Sequence, residues 1–315
     1  AGIIPTDFPV RLHDALVTGG RGVELFFIIS GYLIPASLVR HGVLRRFFYD
    51  RAMRIMPLFV ILHLLVFTVG PLVGYKFFPS LSSAQYVAAF VTNLFFVPEL
   101  FGQPIGQQNA WTLTYEWVFY FWFAALFVAL KRPSFAVSAT LIALACVVLA
   151  VFPSAAFFGI GMLMAWRQPQ LPLRGKLGLA FGFACLVAMY YACEYITPYV
   201  GLIPGALIFA MVLSPDSGLT RLLTTRPLLL IGKVSYSLYL IHPFVLFPLM
   251  VIARRAYAQG LDPWLILAVF AGVGAVASLC AAVVCYEMVE QRLRRRLDRL
   301  FSGSRQEVVI ASARE

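Results

Sequence analysis

Long apolar runs alternate with short basic ones along this sequence, and that alternation constrains the fold more than any single motif. A helix that crosses a bilayer needs about 20 consecutive, mostly apolar residues. Runs of about that length cover 22–39, 55–73, 111–130, 135–152, 177–197, 228–252 and 263–286. Two shorter runs, 155–166 and 199–213, need flanking residues to complete a crossing. A further stretch, 84–98, is also short and contains Asn93. The chain is 61% hydrophobic and 12% charged, with a mean hydropathy of +0.85, whereas a soluble domain is about half apolar and a quarter charged. Lipid serves as the solvent for the excess. The expected fold class is all-α, a polytopic membrane helix bundle of about nine spans.

Basic residues orient the spans. Arg40, Arg45, Arg46, Arg51 and Arg54 follow the first run, and Lys131 and Arg132 follow the third. Arg167, Arg174 and Lys176 come after 155–166, Arg221 and Arg226 after 199–213, and Arg292, Arg294, Arg295, Arg296 and Arg299 after the last run. Cytoplasmic loops are enriched in Lys and Arg. All five groups are cytoplasmic if 84–98 does not cross, which makes 74–110 one outer or re-entrant excursion and leaves the C-terminus inside. Lys76, Arg254 and Arg255 are then exceptions. The net charge of +11 follows from these loops; no basic groove or nucleic-acid motif accompanies it. Residues 1–301 read as one transmembrane domain and 302–315 as a disordered cytoplasmic tail.

The five cysteines lie within apolar runs, with neither metal-ligand spacing nor a disulfide framework. The chemistry falls instead to ionisable and polar residues inside the runs, which are costly in lipid and therefore candidates for function. Glu24 lies near the start of the first run, with Ser30 and Gly31 in its middle; small residues there also allow close helix packing. Arg51 and Arg54 are three apart and share a helical face just before Pro57. Paired guanidinium groups at a cytoplasmic mouth suit the phosphates of a donor, and a plain positive-inside cluster is the alternative. Pro57 fits the first turn of a span. Trp111, Tyr115, Trp117 and Tyr120 suit an interfacial belt around Glu116, which needs either a structural partner or a role with substrate. Ser235, Tyr239 and His242 fall on one face of the run 228–252, with Tyr236 beside them. His63 reads as a structural hydrogen-bond partner.

Four stretches, GVELFFIISGYLI, RRFFYDRAMRIMP, WTLTYEWVFYFWFA and GKVSYSLYLIHPFVLF, in this order resemble the acyltransferase 3 family of membrane acyltransferases. Glu24 stands where the family more often has Asp. Arg51, Arg54, Ile55 and Pro57 match its R-x-x-R-I-x-P motif, and Trp111, Thr112, Leu113, Glu116, Phe119 and Tyr120 its tryptophan–glutamate motif. Glu290 looks like the acidic residue that ends the family's last helix. The wording is closest to exopolysaccharide-modifying members. The resemblance implies O-acetylation in a bacterial inner membrane, with an acyl-CoA such as acetyl-CoA as donor, no metal, and a glycan, either free or lipid-linked, as acceptor. It implies Arg51, Arg54, Glu116 and His242 at the catalytic centre. Glu24, Ser30, Trp111, Tyr120, Ser235, Tyr236 and Tyr239 would line the substrate.

The family carries a further N-terminal span with an Arg and a catalytic His. The opening AGIIPTDFPV resembles the loop after it, so the expectation is a chain shortened from ten spans, with His13 the nearest substitute. A transporter or flippase of a lipid-linked sugar or acyl group, or an inactive truncated fragment, are the rival readings.

Overall fold

The computed structural model describes residues 22–131 and 134–300. His13 and the tail at 302–315 lie outside them. The order is α1 (Gly22–His41), α2 (Leu44–Val69), α3 (Ser83–Leu94), α4 (Trp111–Lys131), α5 (Phe135–Val151), α6 (Ala156–Arg167), α7 (Gly175–Tyr195), α8 (Pro198–Val212), α9 (Gly218–Leu223), α10 (Arg226–Lys233), α11 (Ser235–Ala258) and α12 (Pro263–Cys285), then a π-helical stretch, Tyr286–Leu293. No strand occurs among the described residues. The all-α polytopic bundle is therefore the fold.

Six helical stretches are long and apolar enough to cross a membrane: Gly22–His41, Leu44–Val69, Gln108–Lys131, Gly175–Tyr195, Ser235–Ala258 and Pro263–Leu300. The remaining apolar runs form shorter helices of 17 residues (α5), 12 residues (α6) and 15 residues (α8). The stretch at 84–98 forms only the 12-residue α3, opened by a capping box between Ser82 and Gln85.

Two boundaries differ from the sequence reading. α2 begins at Leu44, not near 55, so Pro57 sits in the helix interior rather than in its first turn. The basic run pulled the hydropathy down without breaking the helix, because Arg and Met are good helix formers. The last polar motif begins a new helix at Ser235; residues before it form the separate α10, and Val234 interrupts the two at φ −98°, ψ 8°.

The chain divides into two compact units. One is built from Phe48–Trp111 and residues 230–300. In it α11 and α12 lie along one another, joined through Gly260 at φ +81°, a left-handed conformation that glycine adopts without strain. α3 is held against α2 by aromatic contacts of Phe67 with Phe90 and Tyr86, and by the Tyr86 hydroxyl donating to the Phe67 carbonyl. His63 is 1% exposed in this aromatic layer, with its ring 4.6 Å from Phe67 and 4.7 Å from Phe90.

The other unit is built from residues 22–47 and Thr112–Leu229. Here α1 and α6 approach as closely as backbones allow. A Cβ on Gly31 would stand 2.1 Å from the Phe158 carbonyl oxygen, and one on Gly161 would stand 2.1 Å from that of Ile28. Without a hydrophobic drive between helices in lipid, such small-residue contacts supply the packing. Phe158 is stacked between Phe27 of α1 at 4.4 Å and Phe119 of α4 at 4.3 Å. An apolar groove of about 230 Å³ lies beside this stack, lined by residues such as Tyr115, Trp122, Val148 and Met162.

Candidate active site

The expected site residues fall into two sets. Arg51, Arg54, Trp111, Ser235, Tyr236, Tyr239 and His242 belong to the first unit, and Glu24, Ser30, Glu116 and Tyr120 to the second.

In the first unit, prolines inside helices set the chemistry. A proline donates no backbone hydrogen bond, so the carbonyl four residues earlier loses its helical donor. Pro243 lies inside α11 and so strips the donor from the Tyr239 carbonyl. The Nδ2 of Asn109 donates to that carbonyl at 2.6 Å, and the Tyr239 hydroxyl donates back to the Asn109 carbonyl at 2.8 Å. The loop before α4 is thus tied to the second turn of α11. The same loop reaches α2, where the Gln107 amide donates to the Phe59 carbonyl at 3.3 Å. Asn93 holds the loop from behind. Its Nδ2 donates to the carbonyls of Ala89 and Pro104 at 2.8 and 2.9 Å, and its Oδ1 accepts from Gly106 N–H at 2.8 Å. Non-helical backbone at membrane depth is tolerated where it is buried in protein, and Gly106 and Gln107 are both buried. The end of the excursion, 104–110, is therefore packed among helices of its unit.

His242 stands where this loop meets α11. Its Nδ1 lies 2.9 Å from the Leu238 carbonyl, and its Nε2 lies 3.5 Å from Asn109 Nδ2. Both residues are half-buried. A turn or so earlier in α11, the Tyr236 hydroxyl donates to the Ile55 carbonyl at 2.7 Å, just before Pro57 in α2. Ser237 is fully buried and donates to Glu290 in the π-helical stretch. Glu290 also lies in the fields of Arg54 and Arg294. Arg54 is exposed and Arg51 half-buried. The Tyr49 hydroxyl donates to Asp298 at 2.9 Å, so the arginine-bearing end of α2 lies along the end of the last helix.

Ser235 is exposed at the start of α11. The buried polar partner is Ser237, which the spacing of Ser235, Tyr239 and His242 passed over. Gln107 and Asn109 were missed as well. The Pro243 in the sequence is a usable signal for a donor like Asn109, though it does not say where the donor lies.

In the second unit, Glu24 is 2% exposed and accepts from the Ser154 hydroxyl at 3.1 Å. Glu116 is 7% exposed and accepts from the Tyr120 hydroxyl one turn on, itself packed edge-on to Phe47. Each carboxylate precedes by three residues a ring of the Phe27–Phe158–Phe119 stack, and so shares that ring's helix face. Ser30 is buried beside Gly31. Among the described residues no group of three or more His, Cys, Asp or Glu side chains is gathered to hold a metal ion.

Six helical stretches of membrane-crossing length, with polar side chains buried inside each unit, define a multi-pass membrane protein. Residues 4–287 match the Acyltransferase domain family, and the chain belongs to it. It is 26% identical to O-acetyltransferase OatA of Staphylococcus aureus (strain NCTC 8325 / PS 47), over 91% of this chain and 54% of that protein. It is 31% identical to exopolysaccharide production protein ExoZ of Rhizobium meliloti (strain 1021), over 88% of this chain and 90% of that protein. The chain spans about half the length of the OatA relatives it matches. No solved structure matches it.

Proposed function

We propose that this protein is a membrane O-acyltransferase that moves an acetyl or other small acyl group from acyl-CoA to a hydroxyl of a bacterial surface or exported glycan. It would act in the inner (cell) membrane with its C-terminus in the cytoplasm. The observation that carries the reading is the inserted loop of the first unit, which sets Asn109 against His242 on a helix whose neighbours include the arginine-bearing α2. The relatives named as an O-acetyltransferase and an exopolysaccharide production protein supply the reaction class and the acceptor class.

In this reaction the hydroxyl oxygen bonds to the thioester carbonyl carbon, the carbon–sulfur bond breaks, and the hydroxyl proton passes to a base and then to the departing thiolate. Arg51 and Arg54 would hold the donor's phosphates. Glu116 and His242 would serve the reacting groups, with Glu24, Ser30, Trp111, Tyr120, Ser235, Tyr236 and Tyr239 shaping the substrate's surroundings.

The test is transfer of radiolabelled acetyl from acetyl-CoA to exopolysaccharide by the purified protein in detergent or nanodiscs. Transfer that falls about 100-fold or more in Arg54→Ala supports the reading, since a guanidinium–phosphate pair is a charge-assisted bond whose loss leaves the partner unpaired. Undiminished transfer in Arg54→Ala removes the arginine from the mechanism. Movement of an intact lipid-linked sugar without acetylation replaces the enzyme with a flippase.

A further inference from the structure

The groove beside the Phe27–Phe158–Phe119 stack lies within one unit, between α4, α5 and α6. Its lining on α4 runs from Tyr115 to Trp122, inside the membrane-length stretch Gln108–Lys131. Counted from Gln108 at about 1.5 Å per residue, these residues lie about 10–21 Å along the span. That is hydrocarbon depth whichever way the span points. One wall is α5, which is held by its backbone rather than by buried side chains. Only Leu141 of its 17 residues is buried. The Trp122 indole donates to the Leu141 carbonyl at 3.0 Å, and the Tyr199 hydroxyl donates to the Leu149 carbonyl at 2.8 Å. Pro153 has no N–H for the carbonyl four residues before it, which leaves Leu149 to Tyr199. The facing wall is kept small. Gly159 and Gly161 stand two residues apart on α6 and so point about 200° apart. Gly161 is taken up by the contact with α1, whereas nothing lies within 4 Å of a Cβ at Gly159. Gly159 lines the groove, so the room it leaves is groove space that no helix contact requires.

Such a space does not stay empty in a bilayer. Lining atoms with nothing opposite them forfeit their dispersion contacts. Water is a poor filler, because it needs about two to four polar partners. The Trp122 N–H is already given to Leu141, which leaves the Tyr115 hydroxyl as the one polar side-chain group of the lining. The volume of about 230 Å³ falls below the roughly 300–1,000 Å³ of sites that enclose drug-sized ligands, so it suits a narrow chain rather than a headgroup or an oligosaccharide. Val118 and Leu144 both line the groove and are exposed, so it opens sideways onto the lipid-facing surface of α4 and α5. We propose that this groove is a binding site for one hydrocarbon chain of a membrane phospholipid. The chain enters between α4 and α5, fills the space over Gly159, and packs on the Phe119 and Phe158 rings that join α4 to α6. It is then a structural part of this unit, bound independently of the reaction proposed above.

The experiment uses the full chain in nanodiscs that contain a phospholipid with a photoreactive diazirine in its acyl chain, and the cross-linked residues are mapped by peptide sequencing. Cross-links concentrated at 115–122 and 144–162 are expected. Labelling spread evenly over exposed helices such as α12 overturns the proposal without recourse to any variant. Gly159→Leu and Ala145→Leu fill the groove from its two walls. Each should lower cross-linking at these residues about tenfold, because a closely packed groove has no room for a second occupant. Val276→Leu, on the exposed face of α12, should leave the map unchanged. After transfer to a mild detergent, added phospholipid should raise the melting temperature of the unaltered protein, since a ligand that binds only the folded state stabilises it. The rise should vanish in Gly159→Leu. If that variant does not fold, Ala145→Leu carries the comparison, and the map of the unaltered protein stands by itself. Cross-linking and lipid response equal to those of the unaltered protein in both groove variants overturn the proposal. Acetyl transfer enters none of these readings, so a protein that acetylates nothing sinks the enzyme reading alone.

Discussion

Asn109 donates to the carbonyl of Tyr239 at 2.6 Å, and Tyr239 is the residue whose helical donor Pro243 removes. A side chain 130 positions away thus completes a helix that its own sequence leaves incomplete. The proline creates the vacancy and the loop fills it, so the two features are coupled energetically.

That coupling is measurable as a double-mutant cycle. Asn109→Ala leaves a partly buried carbonyl without a donor and should cost about 1–3 kcal/mol. In Pro243→Ala the new backbone N–H can take the Tyr239 carbonyl, so the same Asn109→Ala change should cost less than half as much. Thermal unfolding of the four proteins in detergent measures the difference. Equal costs in the two backgrounds would mean that the asparagine is not compensating for the proline.

The sequence revealed apolar elements well where a charge or a proline bounded them. The run at 135–152 became Phe135–Val151, that at 199–213 became Pro198–Val212, and that at 263–286 became Pro263–Cys285. It failed where hydropathy and helicity part company, as at Leu44, where an Arg-rich segment is helical without being apolar. The candidate site was half legible. His242, Tyr239 and Tyr236 stand out as polar residues in an apolar run, but Ser237, Gln107 and Asn109 act through partners 53, 48 and 130 residues distant. Local spacing carries no record of such pairings.

Gly31 and Gly161 make a second prediction. Because a Cβ at Gly31 would meet a backbone carbonyl at 2.1 Å, no side-chain rotation relieves Gly31→Leu, and α1 must move away from α6. The expected cost is about 3 kcal/mol or more. Gly159→Ala is the control, since nothing lies within 4 Å of its Cβ position; it should be neutral or slightly stabilising. Detergent melting temperatures compare the two, and similar values would show that α1 and α6 do not touch at this point.

Ser237 and Glu290 test the π-helical stretch, a local geometry often found at functional sites. Ser237→Ala removes a donor from a half-buried carboxylate and should destabilise the protein by about 1 kcal/mol. Glu290→Gln keeps an oxygen acceptor for Ser237 and should cost less in unfolding than Glu290→Ala. If Gln and Ala prove equivalent in the melt, the hydroxyl contact contributes nothing to folding.

Asn93 governs the inserted loop, and its replacement should separate depth from topology. Two of its side-chain bonds hold Pro104 and Gly106 against α3, so Asn93→Ala should loosen 104–110 while leaving both ends of the excursion on the same side of the membrane. In a cysteine-free background, Val73→Cys and Gln108→Cys mark the two ends, both exposed positions. Both should react in intact cells with an impermeant maleimide, because the 12-residue α3 between them is too short to cross a bilayer that needs about 20 residues. Adding Asn93→Ala should speed labelling at Gln108→Cys several-fold and leave Val73→Cys unchanged. Labelling of the two positions from opposite faces would make α3 part of a crossing, reverse the orientation of every span after it, and put the basic loop after α4 outside, against the bias of Lys and Arg toward the cytoplasm.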